Sequence, residues 1–329
     1  MAQFLSEYGL FLLEFLTVVV VIVVAIVIVI SAARKSGDHD GLTVENVNRS
    51  VEQQADIVRQ AILGRRDARK LTRQRAREQK RSRRKDRNDG DAKRRRLFVL
   101  DFKGDIRASA TASLRQEVSA VLDVAERGDE VLLRLENSGG AVHEHGLAAS
   151  QLLRLRAHGV PLTVAVDKVA ASGGYLMATT ADRIIAAPFA IIGSVGVLVQ
   201  IPNFHRLLNE KGIDFEQLTA GKYKRTLTLF GENTDEGREK MQQELADVHE
   251  LFKRQISELR PALDLDQVAT GEHWYGSQAL ELKLIDEIGT SDDFLRQAAQ
   301  HSDLYHLSYK RPKRFVERLM QGAEGLLSR

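Results

Sequence analysis

The sequence predicts an α/β domain of repeated βαβ units, preceded by an N-terminal transmembrane helix and a basic linker. Apolar runs "LFVLDF", "EVLLRLE" and "LTVAV" begin near residues 97, 130 and 162. Helix-like stretches follow the first two, "TASLRQEVSAVLDVAERG" and "HEHGLAASQLLRLRAHG". Strands that alternate with helices in this way form parallel βαβ units, and their period of just over thirty residues makes them stacked copies of one unit.

The membrane helix rests on "FLTVVVVIVVAIVIVISAA", Phe15 to Ala33, which carries no charge. Its length is about that of one bilayer-spanning helix of roughly 20 residues. A cleaved signal peptide fits less well, because "MAQFLSEYG" has no basic residue and the apolar run is too long for an h-region. The expected organisation is a tail at 1–9, an anchor at 10–33, a polar then strongly basic region at 34–96, a globular domain at 97–300 and a basic tail at 301–329.

Charge separates the two halves of the chain. Of 48 Lys and Arg and 45 Asp and Glu, 21 and 12 lie before Leu97, so a balance of +9 there leaves −6 for the remainder. Residues 65–96 are nearly devoid of apolar side chains and read as a solvated helix or a disordered linker. No aromatic residue is interleaved there for base stacking, which argues against nucleic acid. Anionic lipid headgroups beside the anchor are the better partner.

Within the globular part, "IIAAPFAIIGSVGVLVQIP", residues 184–202, is a second uncharged run. Pro188, Gly193 and Gly196 interrupt it, so it reads as strand, turn and strand rather than a membrane helix. "DFEQL" at 214–218 is strand-like, "TDEGREKMQQELADVHELFKRQISELR" is a long polar helix, and "GEHWYGSQALELKLIDEIG" is a loop, a short helix and a strand-like end.

Cysteine is absent, so disulfides, thiolate catalysis and Cys-based metal sites are excluded. In "DKVAASGGYLMA" small residues flank Ser172 and leave its hydroxyl uncrowded, either for packing at a strand-to-helix turn or for nucleophilic attack. A serine needs a base to remove its proton. None of the nine histidines has an obvious fixed relation to Ser172. His143 and His145 alternate as two metal ligands would, but no third ligand is spaced to complete a site, and an exposed helix start is the plainer reading. Lysine is the other base, provided that burial favours its neutral form. "TAGKYKRT" brings Lys222 and Lys224, and on an extended segment one faces in while the other faces out. The residues alone leave both open. "LENSGGAV" ends a strand in a Gly-Gly turn whose N–H groups suit an oxyanion, and "GSVG" puts Ser194 at another turn.

In this order, "SGG", "AASGGY", "GSVGV" and "GKYK" resemble the Ser-Lys peptidases of the signal peptide peptidase A family, whose fold is similar to Clp proteases and crotonases. "GENTDEGREK" and "ATGEHWYG" are most similar to its SohB-type inner-membrane branch. The resemblance implies that Ser172 is the nucleophile, Lys224 the general base and Ser194 the residue that hydrogen-bonds the lysine. It implies an oxyanion hole from the N–H groups of Gly139, Gly140 and Gly173. It also implies no cofactor, an extended peptide or unfolded protein as substrate, and a ring-like homo-oligomer in which Lys224 of one subunit meets Ser172 of its neighbour. The sequence departs from the family where Ser138 replaces the Pro before the double glycine.

A non-catalytic membrane scaffold and a crotonase-like acyl-CoA enzyme are the alternatives. The second explains neither the anchor nor the paired Ser172 and Lys224. The expected location is the bacterial inner membrane. Arg34 and Lys35 follow the anchor while no Lys or Arg precedes it, which puts the catalytic domain in the cytoplasm; the family resemblance implies the periplasmic side.

Overall fold

The computed structural model describes residues 9, 13, 15–21, 41–88 and 94–310. The chain forms two compact units, Val44–Ser308 and a second made of Met1–Thr43 with Tyr309–Arg329. In the second, residues 15–21 are helical. Among the described residues no helix is long and apolar enough to cross a membrane, and most of the expected anchor at 10–33 lies outside them.

Strand β1 (Gly41–Asn46) leads into α1 (Val47–Asn88). Gly64, at φ 75° and ψ 157°, breaks α1 into two helical parts. Much of the basic region is therefore helix. There follow β2 (Arg95–Lys103), α2 (Thr111–Val124), β3 (Glu130–Glu136), α3 (Val142–Ala157), β4 (Leu162–Val166), β5 (Val169–Ala171), α4 (Gly173–Thr179), β6 (Arg183–Ala186) and β7 (Ile191–Gly193). The remainder is α5 (His205–Glu210), α6 (Asp235–Leu259), α7 (Leu265–Val268), β8 (His273–Tyr275), α8 (Gly276–Glu281), β9 (Glu287–Ile288), α9 (Ser291–Ala298) and β10 (Ser302–Lys310).

The protein has a mixed α/β fold. Six parallel strands run in the order β10-β2-β3-β4-β6-β9. Helices α2 and α3 are crossovers of the βαβ units read from the sequence. Parallel strands covered on both faces need continuous apolar runs, which is why "LFVL" and "VLL" are buried residue after residue. One face packs Leu100, Leu133, Leu152, Val164 and Met177 into the main core, where truncating Leu133 to Ala would cost about 2–5 kcal/mol. The other face gathers Leu97, Val99, Leu132, Ala165, Ile185 and Leu304, with Val47 and residues of α9 packed against them.

Three readings of the sequence change. The expected boundary at 97 comes too late, because Asn48 already accepts from Leu304 N–H at 2.7 Å and donates to Ser302 O at 3.2 Å. The expected basic tail begins too early, because residues 302–310 form β10 beside β2. "DFEQL" is not a strand: all five of its residues are exposed, without the buried face of a paired strand. The run 184–202 does hold two short strands, β6 and β7, as its glycines and proline indicate.

A second sheet, β5-β7-β8, pairs β5 parallel with β7 and β7 antiparallel with β8. It brings the C-terminal ends of β5 and β7 side by side. Ser172 and Ser194 are the residues that follow those ends.

Candidate active site

β5 stops at Ser172, whose φ of 52° and ψ of −122° are costly for a residue with a Cβ, and α4 begins at once. Hydrogen bonds hold that conformation. Ser172 N–H donates to Gly193 O at 2.7 Å, and Ser172 O accepts from Leu176 N–H at 3.0 Å. The side chain is half-buried, and Oγ has no hydrogen-bond partner among the described residues. A serine on a strained strand-to-helix turn is how a fold offers a hydroxyl to a substrate.

Opposite it, the chain leaving β3 bends through "NSGGA". Asn137 forms an isolated parallel bridge with Ala170, which ties this bend to β5. Gly139 has φ 89°, and a Cβ on it would lie 2.7 Å from Ser172 Cβ and 2.9 Å from Ala171 O. Only glycine lets the loop approach the serine this closely. A Cβ on Gly140 would lie 2.2 Å from Ile106 O, and Ala141 N–H donates to that same oxygen at 2.8 Å.

The three glycines expected to line an oxyanion hole are in different states. Gly139 N–H donates to Asn137 Oδ1 at 2.9 Å. Gly140 and Gly173 N–H have no hydrogen-bond partner among the described residues; Gly173 follows Ser172 in the chain, and Gly140 follows the Gly139 that touches it. Gly139 thus contributes its missing side chain, and the other two have N–H groups to offer.

Ser194 also has a positive φ of 52°. Its N–H donates to Glu272 O at 2.7 Å, and its Oγ donates to Gly271 O at 3.3 Å. Lys224 is exposed, in a turn closed by its own N–H donating to Gly221 O at 3.1 Å. The extended segment assumed for the two lysines is therefore a turn. Lys222 pairs with Glu236 at 2.5 Å and lies 5.1 Å from the Tyr223 ring centroid. The Glu236 hydrogen bond, then Tyr223, holds Lys222 above the usual lysine range. No hydrogen bond joins Lys224 to Ser172 or Ser194 among the described residues.

His143 and His145 part company. His143 is exposed, whereas His145 is fully buried against the turn at Ser172 and Gly173 rather than at an exposed helix start. Among the described residues no three His, Asp or Glu side chains gather as metal ligands. The sequence reading missed Asn137 and Ile106. Asn two residues before a glycine, at the end of a strand, is an Asx-turn signal that would have found the first. Nothing local marks Ile106.

Residues 3–152 match "Peptidase family S49 N-terminal" and residues 154–305 match "Peptidase family S49". The probable protease SohB of Haemophilus influenzae is 45% identical over 97% of this chain and 93% of its own length. That of Buchnera aphidicola subsp. Acyrthosiphon pisum is 57% identical over 68% of this chain and 67% of its own. The solved structure of a membrane-bound stomatin-specific protease mutant covers 68% of this chain and 100% of that chain, at 10% identity and a TM-score of 0.46. The chain belongs to peptidase family S49 and is a serine-type peptidase.

Proposed function

We propose that this peptidase is a membrane-anchored endopeptidase that cuts extended segments of peptide or unfolded protein with a Ser172–Lys224 dyad. The observation that carries the reading is Ser172 itself, strained at a strand-to-helix turn with the backbone of Gly139 packed against it. Lys224 accepts the hydroxyl proton as Ser172 Oγ attacks the carbonyl carbon. The carbonyl oxygen, now negative, takes hydrogen bonds from Gly140 and Gly173. The amine leaves with a proton, and water then releases the acyl group from Ser172. Lys222 is engaged by Glu236, whereas Lys224 has no ion pair among the described residues, which supports Lys224. Ser194, at the end of the neighbouring strand, would orient the lysine.

Lys224 comes from a second subunit in this reading. The segment around it is exposed and apolar, with Leu218 at 95% exposure and Phe204, Ile213 and Phe215 also open. Apolar surface of this kind suits burial in another copy, where a lysine would also lose water and favour its neutral form. A head-to-tail contact of this type closes into a ring and admits only extended chains. The unit is proposed to be of the Clp and crotonase fold class. Residues 10–33 would anchor it in the bacterial inner membrane, with the basic helix near anionic headgroups.

Fluorophosphonate labelling of the full chain in detergent tests the nucleophile. Label should fall on Ser172 and vanish in Ser172→Ala; equal labelling of that variant, or none of the wild type, would overturn the reading.

A further inference from the structure

The loop after β3 is held by side chains. Asn137 is 1% exposed, and its main chain is bonded to β5 in both directions: N–H donates to Val169 O at 2.9 Å, and the carbonyl accepts from Ala171 N–H at 3.0 Å. Its side chain then turns back onto the loop. Oδ1 accepts from Gly139 N–H at 2.9 Å in an Asx turn, and Nδ2 donates to Met177 Sδ at 3.3 Å. The same Oδ1 lies 3.2 Å from Nε2 of His145, whose Nδ1 faces Ala141 O at 3.0 Å. His145 is 0% exposed. Its ring also fills the space under the nucleophile turn, where a Cβ on Gly173 would lie 2.5 Å from His145 Cγ. One imidazole therefore touches the loop bearing Gly140 and the turn bearing Gly173.

Ser138, between Asn137 and Gly139, makes no hydrogen bond among the described residues and has no ring to set its φ, as a proline would. We propose that Asn137 and His145 are positioning residues that hold the Gly140 and Gly173 N–H groups toward one carbonyl oxygen, supplying the constraint that Ser138 lacks. The amide fixes Gly139 against Ser172, and the imidazole fixes both the amide and Gly173. The proposal rests on Ser172 being the nucleophile. It predicts an effect on turnover rather than on substrate binding, because an oxyanion contact tightens only as charge develops.

The test uses the full chain in detergent and a fluorogenic peptide substrate, with kcat counted per Ser172 labelled by fluorophosphonate, so that unfolded chains do not enter the rate. His145→Met removes the imidazole contacts at similar volume and should lower kcat about 10- to 100-fold with KM unchanged, as misplaced catalytic groups do. His145→Gln keeps an N–H near the Nε2 position and should retain most of the activity. Ser138→Pro added to His145→Met should restore kcat several-fold, which the repair of a mere packing defect would not do. Should His145→Met not fold, Asn137→Ala with and without Ser138→Pro runs the same cycle from the other end of the bond. Wild-type kcat in His145→Met, equal impairment in His145→Gln, or a double variant as slow as the single one overturns the proposal. Wild type that turns over without a labelled Ser172 overturns the nucleophile assignment as well, so the two failures are told apart.

Discussion

Gly139 and Ser172 are in contact so close that a Cβ on the glycine would sit 2.7 Å from the serine Cβ. With Gly139 also at φ 89°, Gly139→Ala must either push the loop away from Ser172 or distort the serine turn. We expect kcat to fall about 100-fold, the order of effect of an ångström-scale displacement. Gly146→Ala is the control. It lies in α3 with nothing within 4 Å of the added Cβ, and should leave kcat unchanged while stabilising the helix by about 0.5–1 kcal/mol. Similar kcat values in both variants would sink the idea that this contact builds the site.

The two lysines of "GKYK" should separate in mutagenesis. Lys224→Ala should abolish peptide turnover, whereas Lys222→Ala removes exposed contacts with Glu236 and Tyr223 and should leave kcat unchanged. Lys168→Ala breaks another exposed pair, with Glu136 at 3.1 Å, and should likewise be silent. Full turnover in Lys224→Ala would remove the dyad.

Mixing distinguishes a shared site from a self-contained one. Ser172→Ala and Lys224→Ala are each expected to be inactive. Co-expressed, they form some interfaces with an intact serine facing an intact lysine, so activity should return. A mixture that co-purifies through separate tags and stays inactive would show that each subunit uses its own lysine.

Acid stability should depend on a three-strand ion cluster. Asp101 of β2 accepts from Arg134 Nε of β3 at 2.6 Å and lies 2.9 Å from His306 Nε2 of β10. Burial alone would raise the Asp101 carboxyl, but the hydrogen bonds of His306 and then Arg134 outweigh it and hold it at about 2. A lowered carboxylate contributes its full stability above the unfolded value of about 3.9 and loses it as pH falls through the folded one. Thermal melts between those limits should therefore fall less steeply for Asp101→Asn than for wild type. Parallel Tm curves would reject the role. With Asp101 half-exposed, solvent screening keeps the effect small.

Much of the catalytic unit was legible because strand and helix periods are properties of neighbouring residues. "LFVLDF", "EVLLRLE" and "LTVAV" are apolar enough to be buried on both faces, and they became β2, β3 and β4. Ser172 stood out for a similar reason: small residues on both sides show in the string itself. The sequence alone also separated a basic N-terminal region from an acidic globular part, and its ordered motifs indicated the peptidase family.

Tertiary structure decided what depends on distant partners. β10 is only weakly apolar and reads as a tail, yet it becomes a strand because β2, some 200 positions earlier, offers a free edge of backbone donors and acceptors. "DFEQL" looks as much like a strand and is none, since all five of its residues stay exposed. His145 sits in a polar helical pattern, and its burial follows from α3 packing against α4, where Gly173 leaves room for the ring. The engagement of Gly139 N–H by Asn137 and the approach of the loop to Ser172 belong to the same class. They are set by how β3 and β5 lie side by side, and no local pattern encodes a contact whose two halves are joined only by folding.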